Sequence, residues 1–351
     1  MHDISRSSRR SLFVVGVAVL LLVSCSDDST PTSPPPNAPK ILCPSPVSAL
    51  SLTGQPVVVQ YSAATATLGT PPVTISCVPP TGSSFAVGSS TVTCTATDSI
   101  RQTDTCTFAV TVTAPPKISL TSFVAFGDSI TAGEIITEGD RFGFRRLLVD
   151  YARSYPTDLQ TDLTGYYTGQ AQSIFVSNQG SKGETTTPGI TRLATVLSAA
   201  RYQALLLMEG ANDFPNFVGA LNNIQTMVRY GKAQGLQVFL ATLPPENPNA
   251  TGSCVAGASD RGTYAALVPP YNNGLSNIAS YENIPLVDVY QAFGGVASPD
   301  LIDCDGLHPT AMGYQLIADT FFKSLKANLS VTPSTSTRLP AAPVSGLLRR
   351  K

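Results

Sequence analysis

The chemistry open to this chain turns on one histidine. Its 351 residues include only two, His2 and His308. The second sits in Asp303-Cys-Asp-Gly-Leu-His-Pro-Thr310, three residues after Asp305. If that segment turns, the Asp305 carboxylate can reach the imidazole and orient it as a general base near neutral pH. A base needs a nucleophile, and Gly127-Asp-Ser-Ile-Thr131 supplies a candidate in Ser129. A serine in a strand-to-helix turn can be exposed, with its own N–H facing an oxyanion. The same residues also make an ordinary turn and N-cap. Two further segments could add oxyanion donors: Asn178-Gln-Gly180 through the Gly180 N–H, and Gly210-Ala-Asn-Asp213 through the Asn212 side-chain amide. Taken together these residue types point to acyl transfer through an activated serine.

Competing chemistries find less support. The chain has no Gly-x-Ser-x-Gly elbow and no glycine fingerprint for phosphates or dinucleotides. One histidine and widely spaced cysteines do not make a metal site, so neither metal nor cofactor is expected. Cys304 lies beside Asp305, and an adjacent carboxylate raises a thiol pKa, which disfavours it as a nucleophile. Lys plus Arg number 22 and Asp plus Glu 23, a net charge of −1, which argues against nucleic acid as a partner. Only 13% of residues are charged and 42% are hydrophobic, a balance that argues against disorder.

The candidate residues need elements to position them. Five apolar runs read as strands: Ser122 to Phe126, Ser173 to Ser177, Ala204 to Met208, Gln237 to Ala241 and Pro285 to Val289. Continuous apolar strands fit a parallel sheet covered on both faces. Amphipathic helices are predicted between and after them, including Phe217 to Ala233 and Ala311 to Asn328. The expectation is a three-layer α/β domain over residues 119–330, with function at the carboxyl ends of its strands. Residues 40–114 differ: short alternating runs such as Pro56 to Tyr61, Val73 to Cys77, Ser90 to Cys94 and Cys106 to Val112 read as a small β-sandwich. The segment Ala114-Pro-Pro-Lys117 reads as the hinge.

The segments GDSIT, NQG, GAND and DGLHPT, in this order at strand ends, resemble the SGNH or GDSL hydrolase family. That resemblance implies a flavodoxin-like sheet of order 2-1-3-4-5. It also implies Ser129 as nucleophile, His308 as base and Asp305 as its orienting partner. The Ser129 N–H, Gly180 N–H and Asn212 amide would form the oxyanion hole. Substrates in such a family include lipid, lysophospholipid and acetylated sugar esters, and small or medium acyl esters are the expectation here. Loops 133–141 and 244–270 are expected to shape the pocket. The segments CPSPV, GTPPVTISC, FAVGSSTVTCTATDS and CTFAVTVT resemble the hyaline repeat, or HYR, domain, an immunoglobulin-like module. It implies a spacer, or a domain with a cell-surface or matrix ligand. An alternative function is therefore surface adhesion with an inactive hydrolase domain.

The N-terminus has its own signature. Arg6, Arg9 and Arg10 precede a twelve-residue apolar run, Leu12 to Val23, too short to span a bilayer and typical of an export signal. Its end, Leu22-Val-Ser-Cys25, resembles the lipobox of bacterial lipoproteins. This implies removal of residues 1–24, a lipid on Cys25 as membrane anchor, and an outer-membrane or cell-surface location. Residues 25–39 form a Pro/Ser/Thr-rich tether, and residues 331–351 are expected to be a disordered tail. Of seven cysteines, six then remain as disulfide candidates: Cys43, Cys77, Cys94 and Cys106 in the sandwich, and Cys254 with Cys304 beside the candidate site.

Overall fold

Strand registers in the larger domain bring the candidate segments level with one another. The structure is a computed structural model that describes residues 37–139, 144–250, 254–255 and 261–331. Its main sheet contains β1 (Ser122–Gly127), β2 (Phe175–Gly180), β3 (Ala204–Met208), β4 (Gln237–Ala241) and β5 (Leu286–Val287). The spatial order is β2-β1-β3-β4-β5 and every pairing is parallel. Gly127 stands opposite both Gly180 and Met208, so β1, β2 and β3 finish side by side. The loops that follow them must therefore share one edge, at the reversal of strand order where open sheets bind ligands.

The helices are α1 (Ser129–Ala132), α2 (Tyr155–Tyr166), α3 (Thr186–Ala199), α4 (Phe217–Ala233), α5 (Val268–Glu282), α6 (Val289–Ala292) and α7 (Ala311–Leu329). Helix α2 packs with α7, while α3, α4 and α5 form a second row. The sheet between them is apolar on both faces: β3 is buried along its whole length, as expected for the middle of three layers. On α7, Tyr314, Ile317, Phe321 and Leu325 are buried, and Phe321 stacks on Tyr155 of α2 at 5.1 Å between ring centroids. Leu316 and Thr320 are half-buried at the border of this buried face. No helix among the described residues is long and apolar enough to cross a membrane.

The N-terminal domain is β-rich, as its alternation predicts. Four strands pair in the order Val47–Leu50, Thr103–Thr113, Gly88–Thr97, Thr74–Val78, and two short two-stranded pairings complete it. Inward residues Val92, Cys94, Ala96, Phe108, Val110 and Val112 form its own core with Ile41, Val59 and Phe85. Disulfides Cys43–Cys106 and Cys77–Cys94 lie in this domain.

Three boundaries differ from expectation. Strand β2 starts at Phe175 and runs through Gly180, so the loop after it begins at Ser181. Strand β5 is only two residues long, because Asp288 caps α6 immediately after it. Lys117 and Ile118 pair antiparallel with Val331 and Ser330, so the α/β domain closes on itself over residues 117–331. The export signal, Cys25, most of the tether and residues 332–351 lie outside the described residues.

Candidate active site

Ser129 is the first residue of α1, directly after Asp128, whose side chain accepts from the Ile130 N–H at 3.0 Å. The approach to that turn demands glycine: a Cβ on Gly127 would lie 1.9 Å from the Met208 carbonyl oxygen. Asp128 also takes a backbone hydrogen bond from Ala211, which ties the serine turn to the loop bearing Asn212. Burial pushes the Asp128 carboxyl up to about 6, partly offset by the Ile130 N–H and His308.

His308 arrives from a tight loop after β5. Gly306 adopts φ +79°, and a bridge between Ile302 and Pro309 closes the loop's base. Asp305 Oδ1 accepts the N–H groups of Leu307 and His308 at 3.1 and 3.0 Å. Its Oδ2 stands 2.5 Å from His308 Nδ1. On the other side of the ring, Nε2 lies 2.9 Å from Ser129 Oγ. The three side chains thus form one hydrogen-bonded line across 179 residues of sequence. Burial favours a neutral Asp305, but the imidazole and those two N–H groups outweigh it and hold the carboxyl below its usual range. Burial likewise disfavours a charged His308, yet hydrogen bonds to Asp305 and Glu134 prevail and push it up to about 9.

A cavity of about 130 Å³ opens above Ser129 and His308, with Asn212, Gly183 and Lys182 on its wall. The Asn212 amide donates to the Glu184 carbonyl at 2.9 Å; its second N–H remains for a ligand. A larger depression of about 650 Å³ near β5 and α7 contains Asp319 and Lys323 but no hydroxyl–imidazole pair.

Ser129, Asn212, Asp305 and His308 therefore come together. Gly180 does not. Its N–H is engaged by Asn178 Oδ1 at 2.9 Å, and a Cβ there would strike the Ala132 nitrogen at 2.0 Å. It allows β2 to pack on α1 and does not line the cavity. Gly183 takes that place, with φ +70° and open space where a side chain would stand. The signal is present in Gly180-Ser-Lys-Gly183, but a strand taken to end at Ser177 favours the first glycine over the second, whereas β2 runs through Gly180.

Other residues at the site carry no sequence motif. Glu134 and Leu147 come from a hairpin in which Glu134–Ile136 pairs with Leu147–Val149. Arg261, buried, reaches the cavity from the loop after β4, donating to the Ala211 carbonyl at 2.7 Å and pairing with Glu246. Both loops expected to shape the pocket thus contribute to it. Cys254 and Cys304 form the third disulfide, joining the loop after β4 to the segment that carries Asp305.

The family model described as GDSL-like lipase/acylhydrolase matches residues 125–316, more than half of the chain. The chain belongs to this family. Its GDSL-like domain spans every residue just described around the cavity, and membership makes it a hydrolase of ester bonds. Residues 35–112 match the HYR domain model. Among solved structures, a lipase/acylhydrolase from Enterococcus faecalis is 21% identical, with a TM-score of 0.46, covering 62% of this chain and 100% of that one. An acetylxylan esterase from Geobacillus stearothermophilus is 19% identical, with a TM-score of 0.44, over 59% of this chain and 96% of its own. A psychrotrophic esterase from Pseudoalteromonas is 21% identical, with a TM-score of 0.42, over 58% and 96%. No curated protein matches the sequence.

Proposed function

We propose that this GDSL-like hydrolase cleaves small acyl esters through an acyl-enzyme on Ser129, with His308 as general base and Asp305 orienting it. The line from Ser129 Oγ through His308 to Asp305, at 2.9 and 2.5 Å, carries this reading. His308 Nε2 takes the Ser129 proton as Oγ attacks the ester carbonyl. The N–H groups of Ser129 and Gly183, with the Asn212 amide, receive the oxyanion; removing one such donor typically costs on the order of 10²–10³ in rate. His308 then gives its proton to the leaving alcohol, and a water activated by the same imidazole releases the acid.

Cavity size supports a small acyl group. A space of about 130 Å³ is small beside the roughly 300–1,000 Å³ of pockets that hold drug-sized ligands, which favours a short acyl group. Its rim contains charged Glu134, Lys182 and Arg261 beside Leu147 and Leu307, a poor lining for a long chain. A nitrophenyl ester series from acetyl to octanoyl tests both points. Rates should fall with chain length, and Ser129→Ala should abolish turnover with an unchanged melting curve. Full activity in that variant would overturn the assignment.

The lipobox-like Leu22-Val-Ser-Cys25 and the apolar run before it support export and a lipid anchor on Cys25, at the outer membrane or cell surface. The HYR domain would then space the enzyme from the membrane.

A further inference from the structure

The face of His308 toward Ser129 carries a second carboxylate. Glu134 Oε2 lies 3.2 Å from Nε2, the nitrogen that Ser129 Oγ approaches to 2.9 Å. Glu134 is only 2% exposed, and its other oxygen meets the ammonium of Lys182, whose side chain is 54% exposed. The glutamate is fixed from two sides. Its backbone belongs to the hairpin with Leu147–Val149, and its carbonyl accepts the Tyr314 hydroxyl of α7 at 2.7 Å.

The two neighbours of Nε2 suit different protonation states. With Nδ1–H on Asp305, a neutral ring offers Nε2 as an acceptor, which suits the hydroxyl of Ser129. A protonated ring offers Nε2–H as a donor, which suits the carboxylate of Glu134. Only the neutral ring can remove the serine proton.

We propose that Glu134 is a positioning residue for the base: it holds the protonated ring of His308 in the empty site and, with Lys182 as its counter-charge, sets the pH at which the imidazole becomes free to accept the Ser129 proton. This rests on Ser129 and His308 being the catalytic pair.

The charged surroundings leave this pair as the adjustable one. Asp305 faces the ring from its own loop, Asp128 from the turn before α1, and Glu134 from the hairpin. Arg261 enters from the loop after β4 but is committed to Glu246 and the Ala211 carbonyl. Tyr314, from α7, is kept neutral by burial and the nearby carboxylates. Lys182, in the loop after β2, is half exposed and meets Glu134 from the solvent side. Burial favours a neutral Glu134, but His308 and Lys182 outweigh it and keep the carboxyl below its usual range.

An opposite charge within hydrogen-bond reach shifts a pKa by about 1–3 units. Removing the Glu134 charge destabilises the imidazolium, so Glu134→Gln should move the acid limb of kcat/KM to lower pH by about one unit or more. Lys182→Gln leaves Glu134 without its counter-charge, so the limb should move to higher pH. The measurement is kcat/KM for nitrophenyl acetate from pH 5 to 10 in wild type, both variants and Ser129→Ala. A purely structural role would lower the rate without moving the limb. Coincident limbs, or shifts of the same sign, overturn the proposal. Lys182→Gln is a surface change and decides the matter if Glu134→Gln does not fold: an unmoved limb there also overturns it. Retained activity in Ser129→Ala would instead show the catalytic pair to be wrong.

Discussion

Gly180 and Gly183, three residues apart, make opposite demands on a side chain. At Gly180 an added methyl meets the backbone of Ala132 at 2.0 Å and would force β2 away from α1. At Gly183 the space is open, but φ is +70°, and a left-handed conformation costs a residue with a Cβ about 1–2 kcal/mol. Gly180→Ala should therefore act mainly on stability, lowering the melting temperature while the folded fraction keeps its KM. Gly183→Ala should act mainly on turnover, because a shift of about 1 Å in an oxyanion donor can cost on the order of 10²-fold. Thermal melts alongside kcat and KM separate the two, and the reverse pattern would return the donor role to Gly180. The chemistry-bearing side chains were legible at this scale for two reasons: histidine is scarce and His308 follows Asp305 by three residues, and Ser129 stands in a Gly-Asp-Ser turn directly after an apolar strand. The donor glycine was not, since glycines are common after strands and only the end of β2 distinguishes these two. Glu134 was less legible still, because nothing local marks a glutamate that becomes buried against a histidine 174 positions away in sequence.

Long periodic elements were readable from their own residues. Helix α4 occupies Phe217–Ala233 as its amphipathic spacing requires, and α7 exceeds its predicted end by one residue. The hairpin carrying Glu134 and Leu147 was not visible, because two strands of three residues each are too short to show a period. Among its described residues the loop after β4 forms no strand and only a short helical turn at Ala265–Leu267, and the cross-links that hold it are remote in sequence: Arg261 to Ala211, and Cys254 to Cys304. That disulfide closes a separation of 50 residues, which in the chain-entropy account stabilises by about 4 kcal/mol. It also restrains the segment immediately before Asp305. Replacing both cysteines with serine should lower the melting temperature and reduce kcat, with KM less affected, since the orientation of His308 depends on Asp305. A kcat equal to wild type at temperatures well below the melt would show that the Asp305 turn holds itself, through Gly306 and its two backbone hydrogen bonds.

The two domains have separate apolar cores, and every residue around the cavity lies between Ser129 and His308. The division was legible from the change in pattern, from short alternating runs to long apolar strands with helices between. Its position was not legible to the residue. The hinge looks continuous through Lys117, yet Lys117 and Ile118 pair antiparallel with Val331 and Ser330, directly after α7, and Ile118 is 2% exposed. Such a closure depends on two segments more than 200 residues apart, which local composition cannot report. It has a measurable consequence. A chain starting at residue 115 keeps this pairing and should hydrolyse a soluble ester at the rate of the full-length protein. One starting at residue 119 lacks the Ile118 side chain, whose burial is worth about 1.5–3 kcal/mol, and also leaves Ser330 and Val331 without their partner strand. It should retain KM but unfold at lower temperature and lower denaturant. Equal stability of the two chains would place the boundary of the catalytic domain after Ile118. A loss of rate already in the longer one would mean that the HYR domain takes part in shaping the site.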